Sequence, residues 1–229
     1  PQGPDCSLYI RPLLFGSEGT LAVRAAATYR FIIMTSPVQE YFDRQGQGIY
    51  LKAEDRFTRA SPGGTGGAKT AGNYAATLQP MSDSAGEGFD QILWLDGLEH
   101  RYVEEAGQMN IFFHIGDTIV TPDLSGTILP GITIDTILTI LREWGYNIEE
   151  RRIPMDEVLT ANKAGDVREV FGAGTAAVVV PIDRIHYLGQ DLQLAPVGND
   201  SLCQRLYQTI TELQFGLRQD NHGWSVLVD

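Results

Sequence analysis

The stretch Gly63-Gly64-Thr65-Gly66-Gly67-Ala68-Lys69-Thr70-Ala71-Gly72-Asn73-Tyr74 opens on a glycine-dense run that forces the chain out of regular structure. Glycine at this density loses too much backbone freedom to sustain a helix or a strand. The chain must turn here, and the turn delivers a single lysine with a tyrosine five residues later. Lys69 stands among small residues with no acidic neighbour in sequence. That setting suits a desolvated amine of lowered pKa, as a Schiff-base lysine requires. Two other readings stay open. One is a flexible surface loop with a solvated lysine. The other is a phosphate-cradling P-loop, which needs glycine directly before the lysine where this chain has Ala68.

The chain of 229 residues is long enough for one large domain or two small ones, and its 43% hydrophobic content supplies a sizeable core. The formal net charge is -12, and no basic cluster exists to track a phosphate backbone, so nucleic-acid binding is not expected. The acidity reads as a solubility feature. The longest apolar runs, such as Phe31-Ile32-Ile33-Met34, are too short to span a bilayer, and no export signal is expected. Cys6 and Cys203 are far apart and form neither a disulfide framework nor a zinc signature. A reducing compartment is the default. His100, His114, His186 and His222 lack ligand spacing, so no metal site is expected.

Strands are expected at 8–15, 29–34 and 49–53, with the polar, glycine-containing segment 43–48 as a linker. A helix is expected over 73–78, ending at Pro80, with turns over 82–88. Strands follow at 91–95, 101–104 and 110–115. The clearest helix is 132–144. Ile132, Ile134, Ile137, Leu138, Leu141 and Trp144 fall mostly on one face; Pro130-Gly131 precede it and Gly145 stops it. Further strands are expected at 147–153, 169–171, 176–181 and 185–187, with helices at 155–161 and 200–215. Strands and helices alternate without a βαβ rhythm. The expected class is α+β with mixed or antiparallel sheets.

Three more segments carry chemistry. Pro130-Gly131-Ile132-Thr133 opens a helix whose first N–H groups and dipole favour an anion, with Gly131 permitting close approach and Thr133 adding a hydroxyl. An ordinary helix start is the competing reading. Gly172-Ala173-Gly174-Thr175-Ala176-Ala177 is a small-residue turn able to form an anion nest, or a tight connection that simply needs glycine. In Glu104-Glu105-Ala106-Gly107 a carboxylate enters an apolar strand. If buried it needs a partner, and a protonated pyridine nitrogen would serve. Otherwise both glutamates are exposed at a strand end.

Taken together and in order, these motifs resemble the branched-chain amino acid aminotransferases of the fold-type IV class of pyridoxal phosphate enzymes. The resemblance runs from Leu8-Tyr9-Ile10-Arg11-Pro12 through the lysine motif, residues 105–113, Leu124-Ser125-Gly126-Thr127-Ile128-Leu129-Pro130-Gly131-Ile132-Thr133, Trp144-Gly145-Tyr146 and Glu149-Glu150-Arg151-Arg152 to Glu169-Val170-Phe171-Gly172-Ala173-Gly174-Thr175-Ala176. It covers essentially the whole chain. It implies pyridoxal 5'-phosphate as cofactor and Lys69 as the lysine that forms the Schiff base and shuttles the proton. Tyr74 would bond the phenolic oxygen, Glu105 would meet the pyridine nitrogen, and Leu129 would pack on the ring. Gly131, Ile132, Thr133 and Thr175 would hold the phosphate. Thr175 and Ala176 would also receive the substrate carboxylate, with Tyr9 and Arg11 lining the substrate pocket.

The implied reaction is amino transfer between leucine, isoleucine or valine and 2-oxoglutarate. A D-amino acid transaminase, an aminodeoxychorismate-lyase-like enzyme, or a non-catalytic cofactor-binding fragment are the alternatives. The implied architecture is a large cofactor-binding domain over 49–229, the 43–48 linker, and residues 1–42 as the C-terminal part of a smaller α/β domain. Two features depart from the family pattern. Ile134 stands where most members are basic, and Lys69 comes early, because members begin well over a hundred residues before their lysine. An N-terminal segment carrying a phosphate-binding arginine, cleaved, disordered or separately encoded, is therefore expected. So are a homodimer and a location in the cytoplasm, or in the mitochondrial matrix of a eukaryote.

Overall fold

The computed structural model describes residues 6–38, 48–194, 198 and 200–226. Residues 43–47 of the expected linker lie outside these. The chain separates into two compact units, Pro1–Asp43 and Arg44–Asp229.

The first unit is a hairpin of β1 (Ser7–Gly16) and β2 (Tyr29–Val38), paired antiparallel from Ser7↔Val38 to Gly16↔Tyr29. The second strand runs past the expected end at Met34, because the ladder extends through Pro37 opposite Leu8. The connection is tied by Glu18, which pairs with Arg24 at 2.5 Å and accepts from the Ala27 amide at 2.7 Å. Arg24, then that amide, holds the Glu18 carboxyl below its ordinary range. Ile10, Leu14, Phe31 and Ile33 are exposed.

The second unit is built on a mixed sheet. Its strands are β3 (Ile49–Glu54), β4 (Gln91–Leu95), β5 (Val103–Ala106), β6 (Asn110–Ile115), β7 (Thr118–Thr121), β8 (Asn147–Glu150), β9 (Val167–Gly174), β10 (Val178–Tyr187) and β11 (Gln190–Gln193). The order is β5-β4-β3-β10-β9-β6-β7-β8, with β11 on β10. The helices are α1 (Ala71–Ala75), α2 (Leu78–Gly86), α3 (Ile132–Glu143), α4 (Met155–Ala164) and α5 (Leu202–Gln214). The α+β class is as expected, with one correction. β3 and β4 are parallel neighbours joined through α1 and α2, and β7 and β8 are parallel neighbours joined through α3, so two βαβ crossovers are present.

Strand β10 changes partners along its length. Val178 to Pro181 pair with β9, and Ile182 onward pairs with β3. Pro181 sits at the changeover, so the segments expected at 176–181 and 185–187 form one strand. The turn expected over 82–88 is largely α2. Pro80 is the third residue of that helix, where the missing N–H would have had no intrahelical partner. β5 starts later than expected, at Val103.

Helix α3 follows its sequence signals closely. Gly131 is the N-cap, and Gly145 takes the left-handed conformation (φ 78) just beyond the C-cap. Tyr146 donates to Leu141 and Gly145 to Arg142, both at 3.0 Å, which closes a Schellman motif. Its buried face is Ile134, Ile137, Leu138, Ile140 and Leu141. Ile132 is not on that face, being 80% exposed in the first turn. α3 shares a core with α5, Phe112, Ile119 and Phe171; the Phe112 and Phe171 rings stack at 5.0 Å. Ser201 caps α5 by accepting from Gln204, and Glu169 of β9 accepts from the amides of Leu202 and Cys203. No helix among the described residues is long and apolar enough to cross a membrane.

Candidate active site

The lysine loop, residues 61–70, is held from within and from one neighbour. Asn73, buried in α1, donates to the carbonyls of Thr65 (2.7 Å) and Ala68 (2.9 Å) and accepts from the Thr65 hydroxyl (2.8 Å). Gly66 is buried against the segment leading into α3: a Cβ there would lie 2.5 Å from Thr127 Cα. Only glycine permits this approach. The loop presents Lys69, whose Nζ donates to the Tyr74 hydroxyl at 2.9 Å and lies 4.7 Å from the ring centroid. Small neighbours do not bury the amine as expected; Lys69 is exposed.

Glu105 sits on β5 opposite Trp94 and is 4% exposed. Its Oε1 accepts from the Leu129 amide at 2.8 Å, and its Oε2 lies 2.9 Å from Arg59 Nε. Burial pushes the carboxyl up to about 7 against the opposing effects of Arg59, the Leu129 N–H and the Lys69 charge. Neither glutamate is exposed at the strand end. The register passes from Trp94↔Glu105 to Leu95↔Val103, so Glu104 is the extra residue of a β-bulge and is buried as well. Burial raises Glu104 too, countered by the Thr127 hydroxyl and by Arg59. Glu104 Oε2 and Thr127 Oγ1 nonetheless lack a partner in hydrogen-bond geometry.

Sequence reasoning missed Arg59, Asn73 and Asn110. Arg59 is buried, and besides meeting Glu105 it donates to the Thr127 carbonyl. An arginine four residues ahead of the glycine run was the available signal. Asn110, at the start of β6, donates to the Leu129 carbonyl at 3.2 Å, and a Cβ on Gly131 would lie 2.8 Å from its Oδ1. Leu129 is half-buried. Gly131 caps α3 without a side chain, so the first-turn amides of Ile132 and Thr133 have no side-chain cap. Thr175 and Ala176 are exposed in the β9–β10 connection. That connection ends on Val178 at φ 56, a strained conformation for a β-branched residue. Gly172 approaches Met109, in the turn between Glu105 and Asn110, and so links this hairpin to the other elements.

The second unit therefore joins the elements bearing Lys69, Tyr74, Glu105, Leu129, Gly131, Ile132, Thr133, Thr175 and Ala176. Tyr9 and Arg11 belong to the first unit, where Arg11 donates to the Tyr9 hydroxyl. The donor set fits pyridoxal 5'-phosphate. A primary amine and a phenol stand 2.9 Å apart, near enough to the buried carboxylate for Lys69 to act on it electrostatically. A helix start is available to an anion.

The sequence profile described as Amino-transferase class IV matches residues 2–185. The chain is 43% identical over 228 residues to branched-chain-amino-acid aminotransferase 2 of Bacillus subtilis (strain 168), covering 100% of this chain and 63% of that protein. It is 42% identical over 226 residues to the branched-chain-amino-acid aminotransferase of Mycobacterium tuberculosis (strain CDC 1551 / Oshkosh), covering 97% of this chain and 61% of that protein. The solved T.th. branched-chain amino acid aminotransferase with pyridoxamine 5'-phosphate superposes with a TM-score of 0.77 at 27% identity, over 95% of this chain and 68% of that one. The Escherichia coli enzyme gives a TM-score of 0.70 at 26% identity, over 95% and 68%. The chain thus spans somewhat under two thirds of the length of these curated relatives. With its profile match and its fold in agreement, it belongs to the class IV aminotransferases.

Proposed function

We propose that the protein carrying this chain transfers the amino group between branched-chain L-amino acids and 2-oxoglutarate, using pyridoxal 5'-phosphate. The observation that carries the reading is the Lys69–Tyr74 pair together with the buried, arginine-paired Glu105. Bound pyridoxal phosphate supplies an electron-withdrawing ring that stabilises negative charge at the substrate Cα. Lys69 Nζ holds the cofactor and then carries the proton removed from Cα. Tyr74 fixes the position of that nitrogen. Glu105 places negative charge toward the ring nitrogen and favours its protonated form. The first turn of α3, with Thr133, receives the phosphate, and the Thr175–Ala176 connection offers N–H groups to the substrate carboxylate. The relatives' names support the branched-chain substrate class.

The reading extends to assembly and place. Ile10, Leu14, Phe31 and Ile33 form exposed apolar surface on the hairpin, which favours a covering partner and a homodimer. The cytoplasm is the proposed location.

Borohydride trapping tests the central assignment. The label should appear on the peptide containing Lys69, and Lys69→Ala should lose both the label and transamination from L-leucine. Lys52 is a poor competitor because Glu87 pairs with it at 2.6 Å. Trapping at Lys52 or Lys163 would overturn the site. Turnover of D-alanine in preference to L-leucine would overturn the substrate class.

A further inference from the structure

Two buried carboxylates, Glu104 and Glu105, stand beside one buried cation. The side chains of Arg59 and Glu105 are 4% and 5% exposed, and Arg59 Nε meets Glu105 Oε2 at 2.9 Å. The Nε–H is not aimed along that line, so the contact is one of charge more than of a directed hydrogen bond. Arg59 makes its directed bond elsewhere, to the Thr127 carbonyl. Thr127 is also where Gly66 of the lysine loop touches the segment entering α3. One guanidinium thus meets the Glu105 carboxylate and the backbone against which the lysine loop is seated. Glu104 forms no ion pair among the described residues, and its Oε2 has no hydrogen-bond partner.

A guanidinium in contact with a buried carboxyl favours the ionised form and opposes the effect of burial. The geometry commits the charge to Glu105. We infer that Arg59 is a positioning residue: it holds the Glu105 carboxyl oriented toward the cofactor ring nitrogen and favours its ionised form against the effect of burial. This inference rests on the transaminase reading for the role of Glu105, but the ionisation it describes belongs to the chain itself. The groups that act on Glu105 are Arg59, Glu104, Lys69 and the Leu129 amide, and the Arg59 charge is the foremost of those favouring the carboxylate.

The test is made on cofactor-free protein labelled with 13C at the glutamate carboxyl, with the Glu105 resonance assigned by its loss in Glu105→Gln. Arg59→Met should raise the Glu105 titration midpoint by about one pH unit or more, whereas Arg59→Lys, which keeps the charge, should hold it within about half a unit. An unchanged midpoint in Arg59→Met overturns the inference. So does an equal rise in Arg59→Lys, because a merely structural role would not distinguish the two.

If Arg59→Met fails to fold, the double variant Arg59→Met/Glu105→Gln removes both buried charges. Its affinity for pyridoxal phosphate, read by visible absorbance, should then match that of Glu105→Gln alone. A further loss of about tenfold would show that Arg59 acts other than through Glu105. Failure to trap cofactor at Lys69 would instead sink the transaminase reading and leave the carboxyl titration standing as measured.

Discussion

Replacing Glu105 with glutamine should change how the stability of the cofactor-free chain depends on pH. In the folded chain, burial holds the Glu105 carboxyl at about 7. An unfolded glutamate titrates at about 4.3. Between those values the folded state keeps a proton that the unfolded state releases, so the stabilisation is fully present in acid and is lost as pH rises through 7. From about pH 5 to about pH 8 the folded state retains about two units' worth of that proton, and at about 1.4 kcal/mol per unit the loss is about 3 kcal/mol. Glutamine is isosteric and does not titrate, so Glu105→Gln removes this slope. Arg59 faces a neutral group at position 105 both in the variant and in the protonated wild type, so that cost cancels at low pH. Urea denaturation of both proteins at matched pH reads the effect: the variant should gain about 3 kcal/mol on the wild type between about pH 5 and about pH 8. A difference that stays constant within about 0.5 kcal/mol would mean that Glu105 is already ionised at the acid end. Arg59 and the Leu129 amide would then outweigh burial, refuting the reasoning.

Gly66→Ala should lower stability by roughly 1–3 kcal/mol and reduce cofactor trapping at Lys69, because the new Cβ would sit 2.5 Å from backbone at Thr127; an unchanged melting temperature would show that the two loops do not press on each other. Burial pushes the Cys203 thiol far above its ordinary range while Cys6 is partly exposed, so a thiol reagent should modify Cys6 alone in the native protein and both in denaturant; rapid native labelling of Cys203 would contradict its place in the α5 core.

What the sequence disclosed depended on whether a local signal agreed with its tertiary setting. α3 was readable because Pro130-Gly131, a helical apolar stripe and Gly145 all speak for the same boundaries. α2 was not, because Pro80 and the polar run after it look like a turn unless the proline is known to lie in the first helical turn. The alternation that separates Glu104 from Glu105 is a rule for regular strands, and the bulge at this point buries both. The candidate site residues, Lys69, Tyr74 and Glu105 among them, were singled out by type and spacing. Those that support them, Arg59, Asn73 and Asn110, were not. Their work is to reach across elements, to Thr127 and Glu105, to Thr65 and Ala68, and to Leu129. Which elements meet is decided by the sheet and not by the neighbouring sequence.

The position of β3 bears on how the protein is made. β3 opens the second unit in sequence, yet it lies inside the sheet between β4 and β10, with Ile49 opposite Ile182. During synthesis β4 becomes available soon after β3, but the other side of β3 waits until the ribosome has delivered β10, well over a hundred residues later. Throughout that interval an interior strand is an open edge, of the kind that templates pairing with other nascent chains. Lys52 and Glu54 place charges in the middle and at the end of that strand, and charged residues on a bare edge oppose such pairing. The loop that presents Lys69 follows directly from β3, and the connection bearing Thr175 leads into β10. Joining those two strands is thus a late, long-range step in folding, and the site gains its full frame only when that step is complete.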